Sequence, residues 1–301
     1  MKLDKLGVQS VKELLIQNVG PPIKDKRVVY VDLPMHFNIG DLLIEEGTYK
    51  FFELMNTVIV DRYTVHDLDS LWRKDLGAET VIVCHGGGNF GDLYASHQEL
   101  RLDVIRNFPD NPIIVLPQSV YYQNEDQLEK ESEYLESHDN LMIYVRDRRS
   151  FHLLSKYISE AKLMLSPDMA MSLYGELNIN LNQSQGALIF RRTDVELTDE
   201  FSFPGSFDWK NLISAYDKSL MFSARKAILE VESAYWREQA YRIRDSLRKR
   251  IIKKAISKFS KYETIDSDRL HGVILSILLD KDTVCRDNSY GKISDYMTSW
   301  F

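Results

Sequence analysis

The sequence predicts an α/β fold built on parallel sheets. Short apolar runs rich in β-branched residues, such as 81–84 and 113–116, alternate with helical stretches of about ten to fifteen residues. This alternation is typical of βαβ units. A polar stretch at 178–186, rich in Asn and Gln, interrupts the pattern, which restarts at Ala187. We therefore predict two domains, 1–178 and 186–301, in a chain of a length at which single cores begin to divide.

The elements of the first domain follow from periodicity and breakers. A helix with apolar residues at helical spacing ends at Gly20 and two prolines. Apolar runs then predict strands at 27–32, 57–60, 80–84, 113–116 and 141–145. A turn at 33–41 is predicted to lead into a helix that ends at about 55. Further helices are predicted at about 93–107 and 125–137, and 146–150 are predicted to open another.

The second domain is predicted to be a smaller α/β unit. Its strands are expected at 187–190, 262–265 and 283–285, with an apolar helix at 273–279. The long stretch 207–259 has helical character. Aromatic and aliphatic residues recur there at roughly helical spacing, which favours packing in the core or between domains (Tyr235, Trp236, Tyr241, Ile243 and Leu247).

Composition excludes several classes of protein. The net charge of −7 and the pI near 5.6 argue against sequence-independent nucleic-acid binding, which depends on basic surface. Two cysteines cannot form a disulfide framework or a Cys-rich zinc site. The first ten residues lack the apolar core of a secretion signal, and no run reaches the ~18 apolar residues of a membrane span. We therefore expect a cytoplasmic location.

A glycine-rich stretch after the strand at 80–84 is the first candidate site. Gly86, Gly87 and Gly88 let the backbone approach a ligand closely before a helix predicted to begin near Leu93. The free N–H groups of such a helix start attract phosphates and other anions. A tight turn without any ligand is the alternative.

Two further loops have the same placement at the end of a strand. Asn38 and Asp41 follow the first strand, where they can cap the next helix or bind a ligand. The loop 266–272 follows a later strand and contains Asp268, Arg269 and His271. His271 could be a loop histidine that caps its own helix, or an acid/base group that titrates near neutral pH.

Three segments concentrate positive charge. Arg191 and Arg192 end a strand and offer planar forks for a phosphate or carboxylate, or ion pairs with the acidic residues that follow. The basic residues at 146–149 are expected to pair with Asp147 and nearby Glu. The segment 248–254 alternates with apolar residues on a helix, which favours a solvated helix face over a nucleic-acid patch.

Taken in order, six motifs make the chain resemble the polysaccharide pyruvyl transferase family, above all its bacterial exopolysaccharide members. The resemblance extends from about 28 to 292. The motifs are Asn-Ile-Gly-Asp at 38–41, His-Gly-Gly-Gly-Asn-Phe-Gly-Asp at 85–92, Pro-Gln-Ser at 117–119, Arg-Thr-Asp at 192–194, Asp-Arg-Leu-His-Gly at 268–272 and Asp-Asn-Ser-Tyr-Gly-Lys at 287–292.

The resemblance implies a fold and a reaction. It implies two Rossmann-like domains facing across a cleft, as in B-type glycosyltransferases. It also implies transfer of pyruvate from phosphoenolpyruvate onto two hydroxyls of a sugar, which leaves a cyclic ketal. The residues implied to surround the donor are Arg192, Arg269, Leu270 and His271. Because Arg191 precedes Arg192, the sequence leaves open which of the two faces the cleft.

The residue types suit this chemistry. Phosphoenolpyruvate carries a phosphate and a carboxylate, which Arg192 and Arg269 can bind. His271 could deliver a proton to the methylene carbon or take one from an attacking hydroxyl, with Asp266 or Asp268 orienting it. On the first domain, the glycine stretch is expected to face the acceptor. The residues expected to contact the substrates there and in the last motif are His85, Asn89, Asp92 and Ser289.

Other functions and partners remain open at this stage. A nucleotide-sugar glycosyltransferase would use the same architecture, and a non-catalytic subunit of a polysaccharide-synthesis complex could keep the fold. No cofactor or metal is expected, because no His or carboxylate pair stands at ligand spacing on a predicted helix. The acceptor sugar is expected to be linked to a nucleotide or lipid diphosphate. Peripheral association with membrane-bound synthesis machinery and homo-oligomer formation are left open, and no nucleic-acid partner is expected.

Overall fold

The computed structural model describes residues 1–177, 184–192, 206–231, 233–287 and 291–301. Within these residues the chain forms an α/β fold with a main parallel sheet and a second, smaller parallel sheet. Helices pack against both. The predicted division at 178–186 falls largely outside the described residues, so the domain boundaries stay a prediction.

The main sheet has seven strands, and all of its pairs are parallel. Its order is β2-β1-β3-β5-β6-β7, with β4 pairing to β5. The strands are β1 (Arg27–Val31), β2 (Val58–Arg62), β3 (Val81–Cys84), β4 (Gly87–Gly91), β5 (Ile113–Tyr121), β6 (Leu141–Val145) and β7 (Leu163–Leu165). Helix α1 (Lys5–Val19) precedes the first strand, and the helices between the strands are α2 (Ile39–Leu54), α3 (Ala95–Asn107), α4 (Glu125–Ser137) and α5 (Arg148–Leu154).

The second sheet has three parallel strands in the order β10-β9-β8. They are β8 (Ala187–Phe190), β9 (Thr264–Ser267) and β10 (Asp282–Cys285). The described helices of this half are α6 (Ala215–Glu230), α7 (Ala234–Phe259), α8 (Leu270–Leu278) and α9 (Lys292–Trp300). An apolar cluster continues from the main sheet through α2 to this sheet, and another covers the opposite face of the main sheet.

The glycine stretch differs from its prediction. The sequence predicts a loop at the glycines and a helix that begins near Leu93. The loop is wrong, because Gly87–Gly91 form β4; a 3-10 helix then covers Asp92–Tyr94, and α3 begins at Ala95, two residues from the predicted start. Gly87 and Gly91 have φ of 131° and 121°, which side chains rarely tolerate, and a side chain on Gly91 would collide with the carbonyl of Tyr121 in β5. The glycines therefore allow a close strand pairing.

The stretch predicted as one long helical region is two helices, α6 and α7. Tyr241 and Leu247 of α7 are buried, as the sequence predicts for a packing stripe. Tyr235, Trp236 and Ile243 are exposed, so the prediction is wrong for these three. They lie on the solvent side of α7, because spacing along one helix does not reveal which side the neighbouring elements cover.

The terminal segments cross between the halves. The backbones of Met1 and Thr283 exchange hydrogen bonds, which ties the chain start to β10. The indole of Trp300, at the end of α9, donates to the carbonyl of Arg146 at 2.7 Å. None of the described helices combines the length and the apolar character that crossing a bilayer requires.

A buried carboxylate on α2 anchors the helix α7 of the second half. Glu45 is fully buried, and its carboxylate binds the guanidinium groups of Arg244 and Arg248. Burial alone would raise the pKa of Glu45, but the two arginines lower it to about 2. Arg244 also donates to the carbonyl of Pro34, beside the strand end of β1. Helix α7 is thus joined to α2 and to the end of β1 by buried charges that neutralise each other.

Replacing Glu45 by Ala should lower the free energy of unfolding by about 3–5 kcal/mol, since two arginines would stay buried without their shared counter-ion. Denaturant unfolding followed by circular dichroism measures this. The matched control is Glu53→Ala on the same helix, where the side chain is 73% exposed and pairs with Lys50, and a loss under 1 kcal/mol is expected. Similar losses in both variants would contradict the anchoring role.

The same group makes a pH prediction. Since the folded-state pKa of Glu45 lies near 2 and its ordinary value is 4.5, its contribution to stability is complete above pH 4.5. That contribution is lost as the pH falls toward 2. The unfolding free energy of the native protein should therefore fall more steeply over this range than that of a Glu45→Gln variant.

Candidate active site

One cavity of about 290 Å³ lies where the carboxyl ends of strands from both sheets meet. Residues that follow β1, β3, β6 and β8 form its walls, together with residues that open α2, α8 and α9. In open α/β sheets, ligands bind at this edge because strand ends and helix starts leave polar groups unpaired there. The cavity is therefore the candidate active site.

Four cationic side chains line this cavity: Arg146, Arg192, Arg269 and Lys292. Arg269 occupies the N-cap position of α8, and its guanidinium pairs with Asp208 through Nε–Oδ1 and Nη2–Oδ2 distances of 2.6 and 2.8 Å. This bidentate pair fixes the plane of the guanidinium. The cavity wall thus combines cations that follow β6 and β8 with cations at the starts of α8 and α9.

Arg191 and Arg192 point to different surroundings. Arg191 is 1% exposed and pairs with Asp266, with 2.8 Å between Nη2 and Oδ1, away from the cavity wall. Arg192 lines the cavity, and its backbone N–H donates to Asp268 at 2.8 Å. Successive residues of an extended segment face opposite sides. The structure therefore places Arg192, rather than Arg191, at the cavity.

His271 is held by a carboxylate that the sequence analysis did not select. Its Nε2 lies 3.2 Å from Oδ2 of Asp168, and the same oxygen accepts from Nη1 of Arg146 at 2.6 Å. Oδ1 of Asp168 accepts from the backbone N–H of Ala170 at 2.8 Å. Burial alone would raise the pKa of this fully buried carboxyl, but His271 and Arg146 hold it well below its usual range.

This contact corrects two expectations. Asp266 pairs with Arg191 and Arg286, and Asp268 accepts from Arg192, so neither orients His271 as expected. Burial raises the pKa of Asp268. The expectation that Arg146 pairs with Asp147 is also wrong, since its partners are Asp168 and the hydroxyl of Ser119.

The start of α2 packs against His271. Asn38 caps this helix by accepting from Gly40 N at 3.1 Å, and its amide donates to Asp41 at 2.7 Å. A side chain on Gly40 would come within 2.7 Å of Nδ1 of His271. Asn38 and Asp41 also line the cavity, so helix capping and ligand contact are compatible here. Burial would raise the pKa of Asp41, but nearby histidines, with His36 foremost, and Lys292 lower it.

Of the three glycines, Gly88 lines the cavity. A side chain there would collide with the ammonium of Lys292 and meet Nη2 of Arg146 at 3.2 Å. Gly86 and Gly87 instead pack behind the wall, where added side chains would meet Pro117 at 3.0 Å and Ile44 at 3.4 Å. The glycine stretch thus leaves room for two cations to converge over its backbone.

His85 is a buried histidine at the floor of the cavity. It is 2% exposed, and its Nδ1 lies 2.5 Å from the hydroxyl of Tyr30. Its Nε2 is buried and has no hydrogen-bond partner within the described part of the chain. Burial lowers the pKa of His85, against the raising effect of nearby carboxylates such as Asp32. A neutral imidazole with an unpaired ring nitrogen therefore borders the cavity.

A second histidine–carboxylate pair also lines the cavity. Nδ1 of His97 lies 2.6 Å from Oδ1 of Asp32, and the amide of Asn89 donates to Oδ2 of Asp32 at 3.0 Å. Burial lowers the pKa of His97, but hydrogen bonding to Asp32 overcomes this and raises it. Asp32 adopts a left-handed backbone conformation with φ of 68°, which is uncommon for a residue with a side chain and indicates a constrained position.

One predicted residue lies apart from this arrangement. The carboxylate of Asp92 accepts from the backbone N–H groups of Gln123 and Asn124 and does not line the cavity. Ser289 lies outside the described residues. Leu270 and Asn89 both line the cavity. Among the described residues, no group of three or more His, Cys, Asp or Glu side chains is arranged to hold a metal ion.

The site residues predicted from the sequence do not include Asp32, His97, Arg146 and Lys292 of the walls. Nor do they include Asp168, the buried partner of Arg146 and His271. Asp32 and Arg146 each follow a buried strand directly, which is the signal that could have found them. His97 is in the middle of a helical stretch, and nothing in the sequence separates it from a surface histidine.

The fold and the cavity define an α/β protein with a cleft that is lined by cationic side chains and lies between two parallel sheets. The family model for polysaccharide pyruvyl transferase matches residues 38–290, so the chain belongs to the polysaccharide pyruvyl transferase family. It is 36% identical over 281 residues to the "Putative pyruvyl transferase EpsO" of Bacillus subtilis (strain 168), covering 92% of this chain and 86% of that protein.

A second relative and one solved structure are also similar to the chain. Pyruvyl transferase 1 of Schizosaccharomyces pombe (strain 972 / ATCC 24843) is 29% identical over 287 residues, covering 91% of this chain and 70% of that protein. The crystal structure of a functionally uncharacterised protein from Klebsiella pneumoniae subsp. pneumoniae NTUH-K2044 superimposes with a TM-score of 0.59 at 20% identity. It covers 99% of this chain and 95% of that one, which supports the fold alone.

Two of the cavity histidines, His97 and His85, should have pKa values shifted in opposite directions. We expect His97 to titrate above 6.5 and His85 below it, because Asp32 stabilises the charged form of His97 while burial disfavours that of His85. Histidine-selective NMR measures both pKa values. Asp32→Asn should lower the pKa of His97, whereas Asp103→Asn, on the exposed side of the same helix, should leave it unchanged. A His97 pKa below 6.5 in the native protein would contradict the pairing.

Proposed function

We propose that the chain transfers the pyruvyl group of phosphoenolpyruvate onto two hydroxyls of a sugar, forming a cyclic ketal and releasing phosphate. The observation that carries this is the convergence of Arg146, Arg192, Arg269, Lys292 and His271 on one cavity. A donor with a phosphate and a carboxylate close together needs several fixed cations. Family membership supports pyruvyl transfer as the reaction class.

The donor is proposed to bind on the cationic side of the cavity. Arg192 and Arg269 come from the second half, as the sequence leads one to expect, and Arg146 and Lys292 are added to them. Arg146 and Lys292 meet over the backbone of Gly88, where two like charges favour an anion between them. Because Arg146 is already paired with Asp168, part of its charge is balanced before the donor binds.

His271 is proposed as the acid/base group, with Asp168 as its positioning residue. Ketal formation adds one proton to the methylene carbon of the donor and removes one from each attacking hydroxyl, and the departing phosphate carries the surplus proton away. A histidine at the cavity wall can relay such a proton. The Asp168 carboxylate fixes the ring through Nε2, while Gly40 leaves room beside Nδ1.

The sugar is proposed to bind at the wall formed by the first half. This wall carries Asp32, Asp41, Asn38, Asn89 and His97, a set of acceptors and donors that suits hydroxyl groups. His85, with its unpaired Nε2, adds one more hydrogen-bonding atom. A nucleotide or lipid diphosphate is the proposed carrier of the sugar, extending from the open side of the cavity.

Replacing His271 by Gln should lower kcat by roughly 100- to 10,000-fold, the range that general acid–base catalysis contributes. The fold should persist, since Gln retains hydrogen-bonding atoms near Asp168. Phosphate release from phosphoenolpyruvate in the presence of a sugar acceptor is the measurement, and circular dichroism checks the fold. A folded variant with near-normal turnover would remove His271 from the mechanism.

Replacing Arg192 by Gln should raise the KM for phosphoenolpyruvate by roughly 10- to 150-fold, because one charge-assisted hydrogen bond to the donor is lost. The matched control is Arg286→Gln, which removes an arginine that pairs with Asp266 outside the cavity wall. Steady-state kinetics should show an unchanged KM in the control. Equal effects in both variants would contradict the donor assignment.

The same cleft architecture is proposed to resemble that of B-type glycosyltransferases, so donor identity needs a direct test. Thermal-shift measurements with phosphoenolpyruvate and with a panel of nucleotide sugars distinguish the two donors. Stabilisation by phosphoenolpyruvate, together with its acceptor-dependent loss of phosphate, supports pyruvyl transfer. Stabilisation by nucleotide sugars alone, without phosphate release, would overturn it.

A further inference from the structure

The helices α6 and α7 form an antiparallel pair on the outside of the second sheet. Asp217, near the start of α6, binds Arg250 and Lys254, near the end of α7. The guanidinium of Arg250 also lies 4.9 Å from the ring centre of Tyr216. The side of this pair that faces solvent, called here the outer face, plays no part in the cavity.

The outer face is basic in an acidic protein. The two helices contain twelve basic residues (Lys and Arg) and four acidic residues (Asp and Glu), whereas the whole chain has 38 basic and 45 acidic residues. Some of these arginines are buried against the first half, but Arg242, Lys249 and Lys253 are exposed. They recur at spacings of seven and four residues, which places them on one side of the helix.

The same face exposes large apolar side chains. Tyr216 and Phe222 of α6 are 63% and 69% exposed, and Tyr235 and Trp236 of α7 are 63% and 61% exposed. Tyr235 precedes Arg242 by seven residues, so it lies on the same side of α7 as the lysines. From Tyr235 to Lys253 the face extends for about 27 Å at the rise of an α-helix.

We propose that the outer face docks the protein onto an anionic membrane surface, lying flat in the headgroup region. Lysines and arginines are attracted to anionic headgroups, and exposed Trp and Tyr prefer the boundary between headgroups and acyl chains. Charge complementarity excludes a symmetric contact with a second copy, because each copy would present the same positive face. This inference is independent of the proposed reaction.

Vesicle binding tests the proposal. The full chain should co-sediment with vesicles of phosphatidylcholine containing phosphatidylglycerol, should not co-sediment with phosphatidylcholine alone, and should dissociate as salt rises from about 0.1 to 0.5 M. The paired variant Lys249→Glu/Lys253→Glu should weaken binding roughly 30-fold or more. The control, Lys24→Glu/Lys130→Glu, changes the net charge equally at exposed sites elsewhere and should bind as the native protein does.

Trp236 supplies a second readout that does not depend on sedimentation. Its emission should shift to shorter wavelength with anionic vesicles, and the shift should be lost in Trp236→Phe. Circular dichroism confirms the fold of each variant, and phosphate release with a water-soluble acceptor should be unchanged in all of them, since none of these residues lines the cavity.

Three results would overturn the proposal. One is that the native protein does not bind anionic vesicles. If it binds heparin in their place, the face would be assigned to an anionic polymer. Another is an equal loss of vesicle binding in the Lys249/Lys253 variant and its control, which would show that binding depends on net charge alone. The third is equal binding to neutral and anionic vesicles.

Discussion

The geometry of the cavity depends on one buried carboxylate that two halves of the molecule share. Asp168 comes from the first half and binds Arg146 of the same sheet and His271 of the second. A carboxylate removed from water is stable only when charges and hydrogen bonds neutralise it, so His271 and Arg146 are as necessary to Asp168 as it is to them. The two sheets are therefore held in one relative position at the cavity.

This constraint extends to the neighbouring elements. Directly after Asp168, a 3-10 helix, Met169–Leu173, packs against α2, where a side chain on Gly47 would collide with the carbonyl of Met169. The hydroxyl of Ser172 donates to the carbonyl of Gly47 at 2.6 Å. This contact places the start of α2, with Gly40, against His271. On the other side of α2, Glu45 holds α7, so one helix connects the buried charge pairs of both halves.

Local patterns account for much of what could be predicted. The strands 81–84, 113–116 and 187–190 are visible as apolar runs, and Asn38 is recognisable as a helix cap. Arg192, Arg269 and His271 follow strands, and that position brings them to the cavity. Other features depend on residues far apart in the chain, so local sequence patterns could not predict them. The pair of His271 and Asp168 joins residues 103 positions apart, and the glycine stretch became a strand because β5 was available to pair with it.

The sequence by itself determined the alternation of strands and helices and the polar loops at strand ends, because hydrophobic periodicity and breaker residues act over a few neighbouring positions. It also determined the family, because the motifs and their order are visible in the sequence without a structure. Only the tertiary structure decided that Arg192 lines the cavity while Arg191 turns to Asp266, and that Asp168 is the partner of His271. The physical reason is that a buried charge selects its partner by proximity in space, and residues far apart in the chain become neighbours only when the sheets pack.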